Sequence, residues 1–141
     1  MLNFEIQPVT KLILEMKYCT IITLIWISFH VSGQKIHKSD LLGCWTESRE
    51  ENTQGSNLFI YRPCDYKEFP PSWFRFRMNL RSDSICSWLV LAANDGHYMV
   101  DGTWIFNEDT NKLKLYNKEG KEVLSFIIEA VEKNILKVKK N

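Results

Sequence analysis

Neither sign of charge dominates this chain. Its 18 Lys and Arg face 17 Asp and Glu, a net charge of +1. A protein that tracks a phosphate backbone or an acidic polymer carries a basic excess to neutralise it, so no nucleic-acid partner is expected. The four cysteines contain no Cys-x-x-Cys pair. Neither His37 nor His97 stands at a metal-ligand spacing from a cysteine. A zinc site is therefore not expected, and no cofactor is assigned. No glycine-rich phosphate loop and no nucleophile–base pair stands out; His97 is the one histidine of the strand region, and nothing places it beside Cys86. Enzymatic chemistry is not expected. Internal repeats, low-complexity segments and a long amphipathic helix are all missing.

What is present is a core-forming composition. The chain has 141 residues, 45% hydrophobic and 13% aromatic, enough for one packed domain and too apolar for disorder. From Met16 it reads MKYCTIITLIWISFHVSGQK. Lys17 is a short positive start, and residues 18–31 form an apolar stretch too short to span a bilayer comfortably. Val31, Ser32 and Gly33 then form a small-residue cleavage site. Residues 1–33 read as a secretory signal peptide, with residues 1–15 an over-extended start and Met16 the true first residue. A buried strand or helix is the competing reading; the polar run Gln34–Lys38 that follows favours the signal. No cysteine follows the apolar run, so neither lipid attachment nor a membrane anchor is expected in the mature form, residues 34–141. The destination is secreted or periplasmic. Cleavage removes Cys19 and leaves Cys44, Cys64 and Cys86, room for one bridge and one free thiol.

The mature region is organised by period two. In Trp73–Leu80, residues Phe74, Phe76, Met78 and Leu80 alternate with Arg75, Arg77, Asn79 and Arg81. Successive strand side chains point to opposite faces, so this is a half-buried strand. Gly43–Ser48, Leu58–Arg62, His97–Phe106, Lys112–Tyr116, Val123–Ile128 and Ile135–Lys139 also read as strands, and Ile85–Leu91, apolar on both faces, as a more buried one, with turn signals such as Asn94-Asp-Gly96 and Asn117–Gly120 between them. Ser39-Asp40 caps a single helical turn ahead of the first strand. The expectation is an all-β chain of about eight antiparallel strands in up-and-down order, closed as a barrel; an open sandwich is the alternative.

Four ordered stretches sharpen this: Gly43-Cys-Trp-Thr-Glu-Ser-Arg-Glu-Glu51, Tyr61-Arg-Pro63, Phe69-Pro-Pro-Ser72 and Gly102-Thr-Trp104. Together they resemble small exported bacterial proteins described as lipocalin-like, over about residues 40–141. The resemblance implies a barrel and no settled activity. It also implies that Gly43 and Trp45 are structural, with Trp45 lying across the closed end against a basic residue of the last strand, Lys137 or Lys139.

Two functions fit such a barrel. One is carriage of a small apolar or amphipathic ligand on walls drawn from Phe74, Phe76, Met78, Trp88, Val100, Trp104, Leu124 and Phe126. These residues are large, and they would equally fill a short barrel. The other is an interaction module or inhibitor, for example of an envelope protein, acting through the proline-stiffened loop 63–72 with Tyr66, Phe69 and Trp73 as contact residues. Glu47, Glu50, Glu51 and Arg62 fall together on the first hairpin, where they would form a polar rim or an acid/base pair; a solvated hairpin end with surface ion pairs of little worth is the favoured reading. If strands one and two pair, Cys44 lies across from Cys64 at disulfide distance, leaving Cys86 free; a bend of the long loop would instead bring Cys64 to Cys86.

Overall fold

Alternation decides where the backbone runs extended, and burial decides which way it closes. The computed structural model describes residues 35–140; the signal-peptide reading of residues 1–33 lies outside them. Eight strands follow a short 3-10 turn at Lys38–Leu41. They are β1 (Gly43–Glu47), β2 (Leu58–Pro63), β3 (Arg77–Leu80), β4 (Ile85–Leu91), β5 (His97–Asn107), β6 (Lys112–Tyr116), β7 (Glu122–Glu132) and β8 (Ile135–Lys140). All neighbours are antiparallel. The sheet closes in the order β1-β2-β8-β7-β6-β5-β4-β3, so no strand is left with an unpaired edge.

From β3 to β8 each strand pairs with the next in sequence. The first two are interchanged: β3 pairs with β1, and β2 with β8. Because β1 is antiparallel to both β2 and β3, those two run in the same direction. The chain leaving β2 must therefore cross outside β1 and return to the other end of the barrel before β3 begins. Residues 64–76 make this crossing. Thr46 shows it: its side chain alternates away from inward-facing Trp45, yet it is only 2% exposed, because the crossing segment covers it. The Cys44–Cys64 disulfide pins the segment at its start, with Cα atoms 5.4 Å apart.

The interior takes one face of every strand. Met78, Leu80, Trp104, Leu113, Phe126 and Leu136 are each at most 1% exposed. One end is sealed. Leu41, fully buried, projects from the 3-10 turn into the core, and Trp45 Nε1 donates to its carbonyl at 2.9 Å. The turn is capped from His37 rather than from Ser39: His37 N–H donates to Asp40 Oδ2 at 2.8 Å. Glu108, in the β5–β6 turn, accepts from Lys38 N–H at 3.0 Å and meets His37 Nδ1 at 3.2 Å. Lys38 Nζ lies 4.7 Å from the centre of the Trp104 ring, and Trp104 Nε1 donates to Arg81 O at 2.9 Å. The cation stacked on a tryptophan at this end is thus Lys38, from the plug. Lys137 and Lys139 point outward and pair with Glu132 and Glu129 at 3.6 and 2.7 Å; they alternate with Leu136 and Val138, which fill the interior.

Two glycines are required by position. Gly43 has φ of +121°, a region closed to side chains with a Cβ. Gly102 faces inward where the Trp88 ring lies against the backbone, and a Cβ there would stand 2.8 Å from that ring and collide with the Tyr116 carbonyl. The non-glycine turn residues in the left-handed region are Ser84, Asp95 and Asn111; in the β4–β5 turn it is the central Asp95, not Asn94 or Gly96, that adopts it.

Candidate functional site

Among the described residues, no plug covers the opposite end of the barrel. The β1–β2 connection, the β4–β5 and β6–β7 turns, the segment 73–76 and the end of β8 surround it. Inside this mouth is a groove of about 450 Å³, lined by Phe74, Phe76, Trp88, Val90, Tyr98, Val100, Asn117, Val123 and Leu124, with Leu89 and Leu91 along its edge. A second hollow of about 270 Å³ adjoins it across Phe76 and Leu124 and reaches Ser125, Phe126 and Lys140. The shape follows from side-chain size along each strand. Towards the sealed end the inward positions hold Trp104, Leu113 and Met78, all fully buried. Near the mouth they hold Val90, Val100 and Leu124, which are only partly buried.

Of the eight wall residues expected from sequence, Phe74, Phe76, Trp88, Val100, Leu124 and Phe126 border these hollows. Met78 and Trp104 do not; both are fully buried in the packed half. Val90 and Tyr98 were not singled out, although they alternate in register with Trp88 and Val100. Tyr98 is 54% exposed, and its ring stands at the lip.

The charged cluster divides. Glu50 and Glu51 sit on a second 3-10 turn, Arg49–Glu51. Arg75 takes Glu50 in a two-pronged pair at 2.6 and 3.1 Å, and also donates to Glu47 O and Pro70 O. Arg62 takes Glu51 at 2.6 and 2.9 Å and donates to Asn134 O at 2.8 Å. The Arg62 guanidinium holds the Glu51 carboxyl well below the usual range, at about 2; hydrogen bonding from Arg75 lowers Glu50 too. These carboxylates brace the crossing segment. Tyr66 lies under Arg62 at 4.6 Å, and Phe69 under Arg75 and Lys67 at 5.0 and 5.3 Å. Trp73 is 67% exposed.

Glu47 stands apart from its neighbours in sequence. It is on the inward face with Trp45 and is only 4% exposed. Tyr61 is its direct partner across the β1–β2 ladder. Tyr61 is fully buried, and its hydroxyl has no hydrogen-bond partner among the described residues. Burial, then the nearby Glu47 carboxylate, push the phenol far above its ordinary value, so it stays protonated. The cue was in the sequence: Glu47 is two residues from Trp45, and period two places both on one face.

Cys86 is buried and unpaired. Burial, helped by the Asp101 carboxylate, pushes its thiol up to about 11. It pairs with Gly102 in the β4–β5 ladder while His97 pairs with Leu91 at the far end; His97 meets Phe74 edge-on instead, 5.7 Å between ring centres. Among the described residues, no cluster of His, Cys, Asp and Glu is arranged to hold a metal ion, and no helix is long and apolar enough to cross a membrane. Comparison with models of known protein families, with curated proteins and with solved structures gives no match to this chain. What stands is the class: an eight-stranded antiparallel β-barrel, plugged at one end, with a Cys44–Cys64 disulfide.

Proposed function

We propose that this chain is a non-enzymatic, exported binding barrel that holds a small apolar or amphipathic ligand in its mouth, in the manner of the lipocalin-like proteins it resembles. The observation that carries the reading is the groove of about 450 Å³ on the inner wall of the unplugged end. Sites for small ligands are of this size, concave and mostly apolar with few polar groups. Export, to the periplasm or beyond the cell, is supported by the signal-like segment and by the Cys44–Cys64 disulfide, a bond that persists in oxidising compartments.

The second reading is a protein-interaction module or inhibitor working on an envelope component through loop 63–72. It is favoured by Trp73, large, apolar and 67% exposed beside the rigid Pro70-Pro71 pair. Native mass spectrometry of the protein from its own source decides between them. A small molecule that is released on denaturation and rebinds one to one supports the barrel ligand. An apo mass, with no uptake from a lipid extract, sinks it and turns the search to protein partners.

A further inference from the structure

We infer that the ligand of this barrel is an amphipathic amine, whose ammonium group is received by Glu47 and Tyr61 while its apolar body lies in the mouth groove. The inference rests on the binding-barrel reading and specifies its ligand class.

A carboxylate turned inward from a barrel strand is costly unless its charge is met. Glu47 is 4% exposed, and its ion-pair partner among the described residues is Arg49, with Nε 3.4 Å from Oε2. That is a long contact, made by a side chain itself 48% exposed. It leaves most of the acceptor capacity of the carboxylate for something else. The residue directly across the ladder is Tyr61, whose hydroxyl is buried and unbonded. Buried hydroxyls are nearly always bonded, and leaving one unbonded costs about 1–3 kcal/mol. A carboxylate held by one long contact and a buried, unbonded hydroxyl, on adjacent strands and both facing one interior, define a receptor for a third group.

Their chemistry selects that group. Glu47 only accepts hydrogen bonds. Tyr61, kept protonated by burial, can accept one through its oxygen and donate one. An ammonium has three donors and a positive charge, so it bonds both oxygens and neutralises the carboxylate. A ligand carboxylate would meet Glu47 as a like charge. A neutral hydroxyl would satisfy Tyr61 but leave the charge unmet.

Phe76 connects this receptor to the groove. Its ring packs edge-on against Tyr61, 6.2 Å between centres, and against Phe126 at 6.1 Å. It also lines both hollows of the mouth. The side chain is half-buried and sits in a segment without regular strand pairing, just before β3. A rotation of this one ring joins the apolar groove to the polar pair beneath it.

Three probes of equal chain length test the inference on the full protein: dodecylammonium, dodecanol and dodecanoate, by calorimetric titration below their micellar concentrations. The expected order is ammonium, then alcohol, then carboxylate, the ammonium binding roughly tenfold to hundredfold more tightly than the alcohol, as one or two charge-assisted hydrogen bonds would give. Glu47→Gln is expected to abolish the preference for ammonium over alcohol while leaving alcohol binding in place, and Tyr61→Phe to weaken ammonium binding less than Glu47→Gln does. Thermal unfolding of both variants checks that the barrel is intact. Equal binding of all three probes, or an ammonium preference that survives Glu47→Gln, overturns the amine inference and leaves the binding barrel standing. No binding of any of the three overturns both.

Discussion

Removing the Cys44–Cys64 bridge isolates the part of the fold that departs from a simple meander. The bridge closes a loop across a sequence separation of 20. Loop-closure entropy for that length is worth about 3.3 kcal/mol at 25 °C, through restriction of the unfolded chain. The native contacts around it are the Cys64 amide bonded to Cys44 O at 3.1 Å, which joins the crossing segment to β1, Arg75 on Glu50, which joins it to the 3-10 turn after β1, and Arg62 on Glu51, which joins β2 to that turn. They survive replacement of both cysteines by alanine, so the folded barrel is expected to form. With a urea slope of roughly 1–3 kcal/mol/M for a small domain, the midpoint should fall by roughly 1–3 M. The slope itself should rise, because an unfolded chain without the bridge is more expanded and exposes more surface. Cys86 serves as an independent probe of the same transition. Buried, and with its thiol pushed up to about 11, it should resist alkylation at pH 8 until the barrel opens. A midpoint within about 0.3 M of the parent, well inside the shift expected from the lost loop constraint, would refute the reasoning. It would mean that the arginine clamps already confine the crossing in the unfolded ensemble, or that the bridge strains the barrel as much as it restrains the unfolded chain.

Gly102→Ala should destabilise the barrel by at least about 2 kcal/mol, since the new methyl meets the Trp88 ring and the Tyr116 carbonyl, both locked in the core; an unchanged melting temperature would show that β5 can shift to make room. Acid titration should expose the Arg62–Glu51 clamp. Glu51 has a lowered folded value, about 2 against an ordinary 4.5, so its contribution is full above the ordinary value and is lost as pH falls from there towards 2. Glu51→Gln should therefore flatten the loss of stability between pH 5 and 2, as read by urea midpoints, with little effect of pH on the difference between the two proteins above 6.

Much of the barrel was legible because its strands are amphipathic at period two. Leu113 and Leu115 alternate with Lys112 and Lys114, and Leu136 and Val138 with Lys137 and Lys139, as their burial confirms. The start of β3 was not. Trp73–Leu80 alternates throughout, yet only Arg77–Leu80 joins the ladder. The reason is a competing polar anchor. The Arg75 guanidinium is drawn to Glu47 O, Glu50 and Pro70 O, which clamps residues 73–76 against the end of β1, the 3-10 turn after it and the Pro70 corner; beyond the ladder Phe76 O still accepts from Glu47 N, at 2.9 Å, and Phe74 and Phe76 stay half-buried. Packing against the crossing also changed the reading of the hairpin carboxylates. Proximity in sequence grouped Glu47 with Glu50 and Glu51, whereas Glu47 ends β1 on its inner face and Glu50 and Glu51 lie on the 3-10 turn that follows, outside the barrel.

The exchange of β1 and β2 lay beyond alternation, because any order of antiparallel amphipathic strands buries the same faces. Connection length carried the missing signal. A hairpin needs a loop of about 2–5 residues, whereas β2 ends at Pro63 and β3 begins at Arg77. Extended chain covers roughly 3.3 Å per residue, so this connection reaches past the length of β1 with slack for the Pro70-Pro71 corner. Reading a strand from Trp73 shortened the apparent loop and hid that reach. The disulfide is the second clue in retrospect. In a hairpin already held by its ladder, a Cys44–Cys64 bridge adds little order; at the root of a long crossing it fixes which way the chain leaves β2. The same crossing delivers Arg75 to the back of the Glu47 peptide and Phe76 to the face of Tyr61. The departure from the meander thus positions both the polar pair inside the barrel and the ring that covers it.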